Sequence, residues 1–178
     1  MLLSVLVLSG FSPSTKSATM AIPDTRAIYK ALFIYNFATL VDWPADYRKG
    51  DFNIGIYGDD NTVFSELSKK YSGKAIGSQE IKVKKIKSKS EITGKTHILF
   101  LTSDKSSEIS SLSSSLGSKS TLLITEKDGY LSKGSVINFV IDRTKNNKQS
   151  YEINKNNAKK HKLVITSKLS TLAVKVIE

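Results

Sequence analysis

The stretch Tyr29-Lys-Ala-Leu-Phe-Ile-Tyr-Asn-Phe-Ala-Thr-Leu-Val-Asp-Trp-Pro44 constrains the fold most, because it reads as a helix apolar almost all the way round. Ala27, Ala31, Ile34, Ala38 and Val41 recur at helical spacing. Ile28, Leu32 and Tyr35 line a second face, and Phe33, Phe37 and Leu40 a third. A one-sided surface helix needs only one such stripe. This helix is therefore expected to be buried on several sides, in a core or against a second chain. It is expected to stop at Asp42-Trp43-Pro44, since proline disfavours helical geometry in the residue before it. Trp43, the only tryptophan, sits at that end. An aromatic there is a candidate contact anchor, and as often a lid on a core.

The rest of the chain alternates strands and helices. Phe52–Tyr57, His97–Leu101 and Thr121–Thr125 are short apolar runs, as expected of strands covered on both faces. Between them lie a helix capped by Asn61 or Thr62, an alternating half-exposed strand over Ile81–Lys84, and a serine-rich helix ended by Gly117. Val136–Ile141 and Gln149–Ile153 flank Asn146-Asn147, which suits the positive φ angles of a hairpin turn. Asn154 is expected to cap a short helix, and Ser167 a last one with Leu169, Leu172, Ala173 and Val176 on one face. The expected fold is α/β: a mostly parallel central sheet flanked by helices, with a C-terminal antiparallel hairpin.

Leu2–Phe11 is apolar but too short to span a bilayer, and Thr19-Met20-Ala21 places small residues before a cleavage after Ala21. Residues 1–21 are thus expected to be a signal peptide, with its basic n-region missing, and residues 22–178 a single exported domain. A start at Met20 would instead give a cytosolic protein.

Composition removes several chemistries. The absence of cysteine excludes disulfides, thiol nucleophiles and zinc–thiolate clusters. Two histidines, His97 and His161, are too few for a multi-histidine metal site. The net charge of +11 calls for an anionic partner or a solvated lysine-rich surface. Only Arg26, Arg48 and Arg143 among the 27 basic residues are arginine, which argues against nucleic-acid recognition. No phosphate loop or nucleophile elbow is present at the required spacing. No catalytic residue, cofactor or metal site is therefore assigned. Residues 142–162 gather seven basic residues, among them Lys155, Lys159 and Lys160, as a face for an acidic partner or anionic lipid.

Taken in order, several motifs resemble the YfiR-like family. They are Lys30-Ala-Leu-Phe-Ile-Tyr-Asn-Phe-Ala38, Trp43-Pro44, Ile54-Gly-Ile-Tyr-Gly58 and His97-Ile-Leu-Phe100. Leu123-Ile-Thr-Glu126 with Gly129, Gly134-Ser-Val-Ile-Asn-Phe139 and Tyr151-Glu-Ile-Asn154 follow, then Ala158, Leu169 and Leu172-Ala173. The resemblance implies a periplasmic, non-enzymatic α/β regulator that forms homodimers. It implies binding to an inner-membrane signalling protein, such as a diguanylate cyclase or a sensor kinase, and repression of it. It also implies a partner in an outer-membrane lipoprotein that relieves the repression. The cysteines of some members are missing here, which leaves no basis for redox sensing.

Phe33, Phe37, Trp43 and Pro44 are the candidate partner or dimer contacts, joined by Lys155, Lys159 and Lys160. The alternative is a periplasmic small-molecule-binding module, with Tyr57, Asp59 and Glu126 at its strand ends.

Overall fold

The computed structural model of the protein describes residues 25–92 and 95–178, and the expected signal peptide lies outside them. The chain runs α1 (Thr25–Leu40), β1 (Val41–Asp42), β2 (Phe52–Tyr57), α2 (Asn61–Tyr71), β3 (Ala75–Ile76) and β4 (Gln79–Ile86). It continues with β5 (Ile98–Leu101), α3 (Ile109–Leu116), β6 (Leu122–Thr125), β7 (Ile137–Asp142) and β8 (Lys148–Asn154). Last come α4 (Lys155–Lys160), β9 (Val164–Ile165), α5 (Ser167–Leu172) and β10 (Lys175–Ile177).

The apolar runs make the middle of an eight-stranded sheet, ordered β10-β8-β7-β6-β5-β2-β4-β3. β4, β2, β5, β6 and β7 are mutually parallel. Every residue of β5 and β6 is buried, the consequence of helices on both faces. β7 and β8 pair antiparallel from Ile137↔Ile153 to Asp142↔Lys148. Asn146 and Asn147 both take φ 56° in the turn, as the hairpin reading requires. A separate antiparallel pair, β1 with β9, ties the end of α1 to the segment after α4.

A buried polar knot fixes the β6–β7 connection. Thr125 Oγ1 lies 2.7 Å from Asn138 Oδ1 and 2.9 Å from Ser135 Oγ. Asn157 donates from Nδ2 to the carbonyls of Leu131 and Ser135, each at 2.8 Å. Asn154 caps α4 as expected, its Oδ1 accepting from Asn157 N at 3.0 Å. Among the described residues Asn138 Nδ2 finds no partner, while the bonded groups of the knot specify one arrangement of the chain.

Three local expectations are corrected. The last helix stops at Leu172, and Lys175–Ile177 instead pairs parallel with Glu152–Asn154. The helical stripe was real in spacing, but β8 otherwise has an unpaired edge. The β-branched Val174, Val176 and Ile177 suit that edge, and Val174 N already donates to Tyr151 O at 3.0 Å. Asp60, not Asn61 or Thr62, caps α2, accepting from Thr62 N and Val63 N at 3.0 Å each. Thr166, not Ser167, precedes α5, and its side chain makes no capping bond.

α1 is buried along Ala27, Ala31, Ile34, Phe37 and Ala38. Its burial is not complete: Tyr29 is 52% and Leu32 41% exposed. No helix among the described residues is long and apolar enough to cross a membrane.

Candidate functional site

The chain leaves β2 to one side, for β4, and returns on the other side at β5. In open α/β sheets the crevice beyond the strand ends at such a reversal is the usual ligand site. Here that crevice is filled. Gly58 sits at φ +123°, and a Cβ on it would lie 1.8 Å from Thr102 Oγ1. Thr102 in turn donates its backbone N–H to Tyr57 O at 3.0 Å. The two loops touch, so the open space is displaced along the sheet toward β6 and β7.

There a cleft of about 570 Å³ opens, with Lys30, Ser103, Glu126, Asp128, Ile141 and Arg143 among its walls. Lys30 projects from α1 and forms an ion pair with Glu126 at the end of β6, and its Nζ lies 3.9 Å from Asp60. Glu126 also accepts from Ser103 N at 2.7 Å. One ion pair therefore joins α1, the β5 loop and the end of β6. Tyr57 does not reach this cleft. Its hydroxyl donates to Glu108 Oε2 at 2.9 Å, and burial, reinforced by Glu108, pushes its pKa up to about 12. Asp59 stays exposed outside the cleft lining. Of the three expected ligand residues, Glu126 alone lines the cleft.

Neither histidine faces it. His97 is buried, accepts from Asn53 N at 3.1 Å through Nδ1, and places Nε2 2.7 Å from Tyr47 O. The carbonyl demands a donor, so Nε2 carries the proton. His161 is also buried, with Nδ1 3.1 Å from Lys119 O and Nε2 3.3 Å from Ser113 Oγ. Burial holds both imidazoles below the ordinary value of 6.5. Each ring is spent on backbone and hydroxyl bonds that hold loops together. Among the described residues no group of three or more His, Asp or Glu could hold a metal ion.

The expected contact residues divide. Phe37 and Trp43 are buried, Phe37 within an aromatic cluster with Phe139 at 5.9 Å and Tyr151 at 4.9 Å. Trp43 packs edge-on against Phe52 at 5.0 Å, and its indole N–H has no hydrogen-bond partner among the described residues. Phe33 and Pro44 are half-buried. The large apolar side chains that α1 offers to solvent are Tyr29 and Leu32. Phe33 and Leu40 line a narrow groove between α1 and α5 together with Leu172, which is 62% exposed. On α4, Lys155 pairs with Glu178 at 2.7 Å, Lys160 lies 3.4 Å from Asn157 Oδ1, and Lys159 is exposed.

Lys30 is a residue whose role spacing alone does not reveal. The signal was present: one lysine in an otherwise apolar helix needs a carboxylate partner if it is to be buried. Its partner could not be found from spacing, since it lies 96 residues away.

A family model described as YfiR/HmsC-like matches residues 28–174, from the first helix to the segment before β10. No curated protein matches the chain.

Proposed function

The chain belongs to the YfiR/HmsC-like family, and from that premise we propose that it is a non-enzymatic regulator of an inner-membrane signalling protein. Membership points to a periplasmic regulator of signalling. The finer reading is that it binds the periplasmic part of a diguanylate cyclase or sensor kinase and holds it inactive. Release follows when a competing partner, such as an outer-membrane lipoprotein, binds better to the free form and shifts the population. The observation that carries the reading is the match over residues 28–174, which spans nearly all described elements.

The surface best suited to the contact is the strip of Tyr29 and Leu32 with the groove edge at Leu172. Large apolar side chains left in water on a helix are the material of interface anchors. Homodimerisation would use the same strip and compete with the partner. Both leucines stand largely in water, so L32D and L172D are expected to keep the fold and lose the partner in co-purification from the cell envelope. A variant pair that retains the partner at wild-type yield would refute this placement.

One observation favours a second reading. The cleft at Lys30 and Glu126 has the size of a small-molecule site. A ligand bound there would raise Tm in proportion to the logarithm of its concentration, with the rise abolished in E126Q.

A further inference from the structure

Positive charge is not spread evenly over this protein. Residues 69–95 hold nine lysines, no arginine and only two acidic residues, Glu80 and Glu91. The structure assembles them on one flank. Lys69 and Lys70 lie in the last turn of α2, and Lys74 follows it. Gly73 N and Lys74 O bond the backbone of Ile81, fastening that end of α2 to the start of β4. Lys82, Lys84 and Lys85 lie on β4 itself, and Lys87 and Lys89 continue beyond it. Successive strand residues point to opposite faces, so Lys84 and Lys85 put charge on both sides of this edge of the sheet, and the other lysines gather around it.

Edge protection explains only part of this. β3 covers β4 at Gln79 and Glu80 alone, and lysines on the uncovered remainder deter strand pairing. Lys69, Lys70, Lys74, Lys87 and Lys89 are off the strand and protect no edge. Nor is the charge neutralised internally. Of the nine, Lys70, Lys82 and Lys89 pair with carboxylates. Lys85 and Lys95 bond only to neutral oxygens, of Asn61 and Asp46 O. Lys69, Lys84 and Lys87 make no salt bridge among the described residues.

We propose that the β4 flank docks this protein on an anionic bilayer surface. The choice of occupant follows from what the flank contains. Arginine forks recognise a particular phosphate, and the flank has none. Protein interfaces are anchored by aromatic and arginine side chains. Among the described residues the large exposed hydrophobic side chains are Tyr29, Leu32, Val164, Leu172 and Val174, all outside the flank. A lysine array without anchors fits a field of many headgroups, at about 1 kcal/mol for each lysine near the surface. β4 lies toward the opposite end of the sheet from β10 and α5, so docking leaves the α1–α5 strip open. The inference does not depend on the regulatory reading.

The test is co-sedimentation of the full chain with vesicles of phosphatidylcholine alone and of phosphatidylcholine with phosphatidylglycerol. Binding is expected only to the second, and it should fall steeply with added salt. The variant K69E/K84E/K87E breaks no internal ion pair and should partition about 100-fold less. K155E/K159E/K160E, on the far side of the sheet order, should bind as wild type does. Indifference of the wild type to the anionic vesicles overturns the proposal. So does equal loss in the two variants, or displacement from the vesicles by polyglutamate at stoichiometric amounts, which would mark an acidic protein as the partner.

Discussion

Trp43 shows how a residue can look like a contact and serve as core. It is 5% exposed, flanked by Phe52 and His97, and carries an indole N–H without a partner among the described residues. Truncation to alanine should cost about 3–5 kcal/mol. W43F removes the unpaired N–H while keeping a ring, and should cost less than half of that in urea unfolding. A W43F loss equal to that of W43A would mean the indole N–H is engaged. The histidines give a pH signature. Both are neutral in the fold, with pKa values below the unfolded 6.5. Above that pH neither state takes up protons at these rings. Below it the unfolded chain does so first, and stability falls with pH through the folded values. The urea midpoint should therefore be flat above about pH 7 and decline toward pH 5, and H161Q should flatten part of the decline. A midpoint that rises on acidification would contradict the assignment. Lys30 and Glu126 form the third residue-level case, each side chain mostly buried. K30M alone leaves a carboxylate short of its partner and should cost about 1–3 kcal/mol, discounted for the solvent that reaches the pair. K30M/E126Q should cost less than the sum of the single variants; strict additivity would mean the pair is not coupled.

At the scale of elements, periodicity found what local chemistry decides. β2, β5 and β6 were legible because strands covered on both faces must be apolar throughout. The hairpin was legible because Asn146-Asn147 accepts positive φ. β10 was not. Leu169, Leu172, Ala173 and Val176 have helical spacing, and only the vacant edge of β8, formed by distant residues, draws Lys175–Ile177 into the sheet. α1 shows the same limit. Its sequence is apolar on three faces, yet the fold supplies partners for only part of its circumference and leaves Tyr29 and Leu32 in water. Which face stays open depends on where α5 comes to rest, and no spacing within α1 encodes that. The candidate cleft was half legible for a related reason: Glu126 sits at a strand end, but the filling of the first crevice by Gly58 and Thr102 is a contact between separate loops.

The whole molecule combines an ordinary α/β core with two unlike surfaces. One is a small apolar strip beside α1 and α5; the other is the lysine flank along β4. The motifs that carry the family resemblance serve mainly the core between them. Asn138 and Asn154 hold the polar knot, and Lys30 and Glu126 tie α1 to the strand ends. Leu32 and Leu172 of the apolar strip belong to those same motifs, whereas the lysines of the β4 flank lie outside them. The proposed function requires this protein to bind a membrane signalling protein. Crosslinking the tagged, exported chain in its own cell envelope, and identifying what is captured, measures that binding in place. An inner-membrane cyclase or kinase is expected, recovered by the wild type and lost in L32D/L172D. Recovery of no membrane signalling protein by the folded, exported wild type would contradict the proposed function.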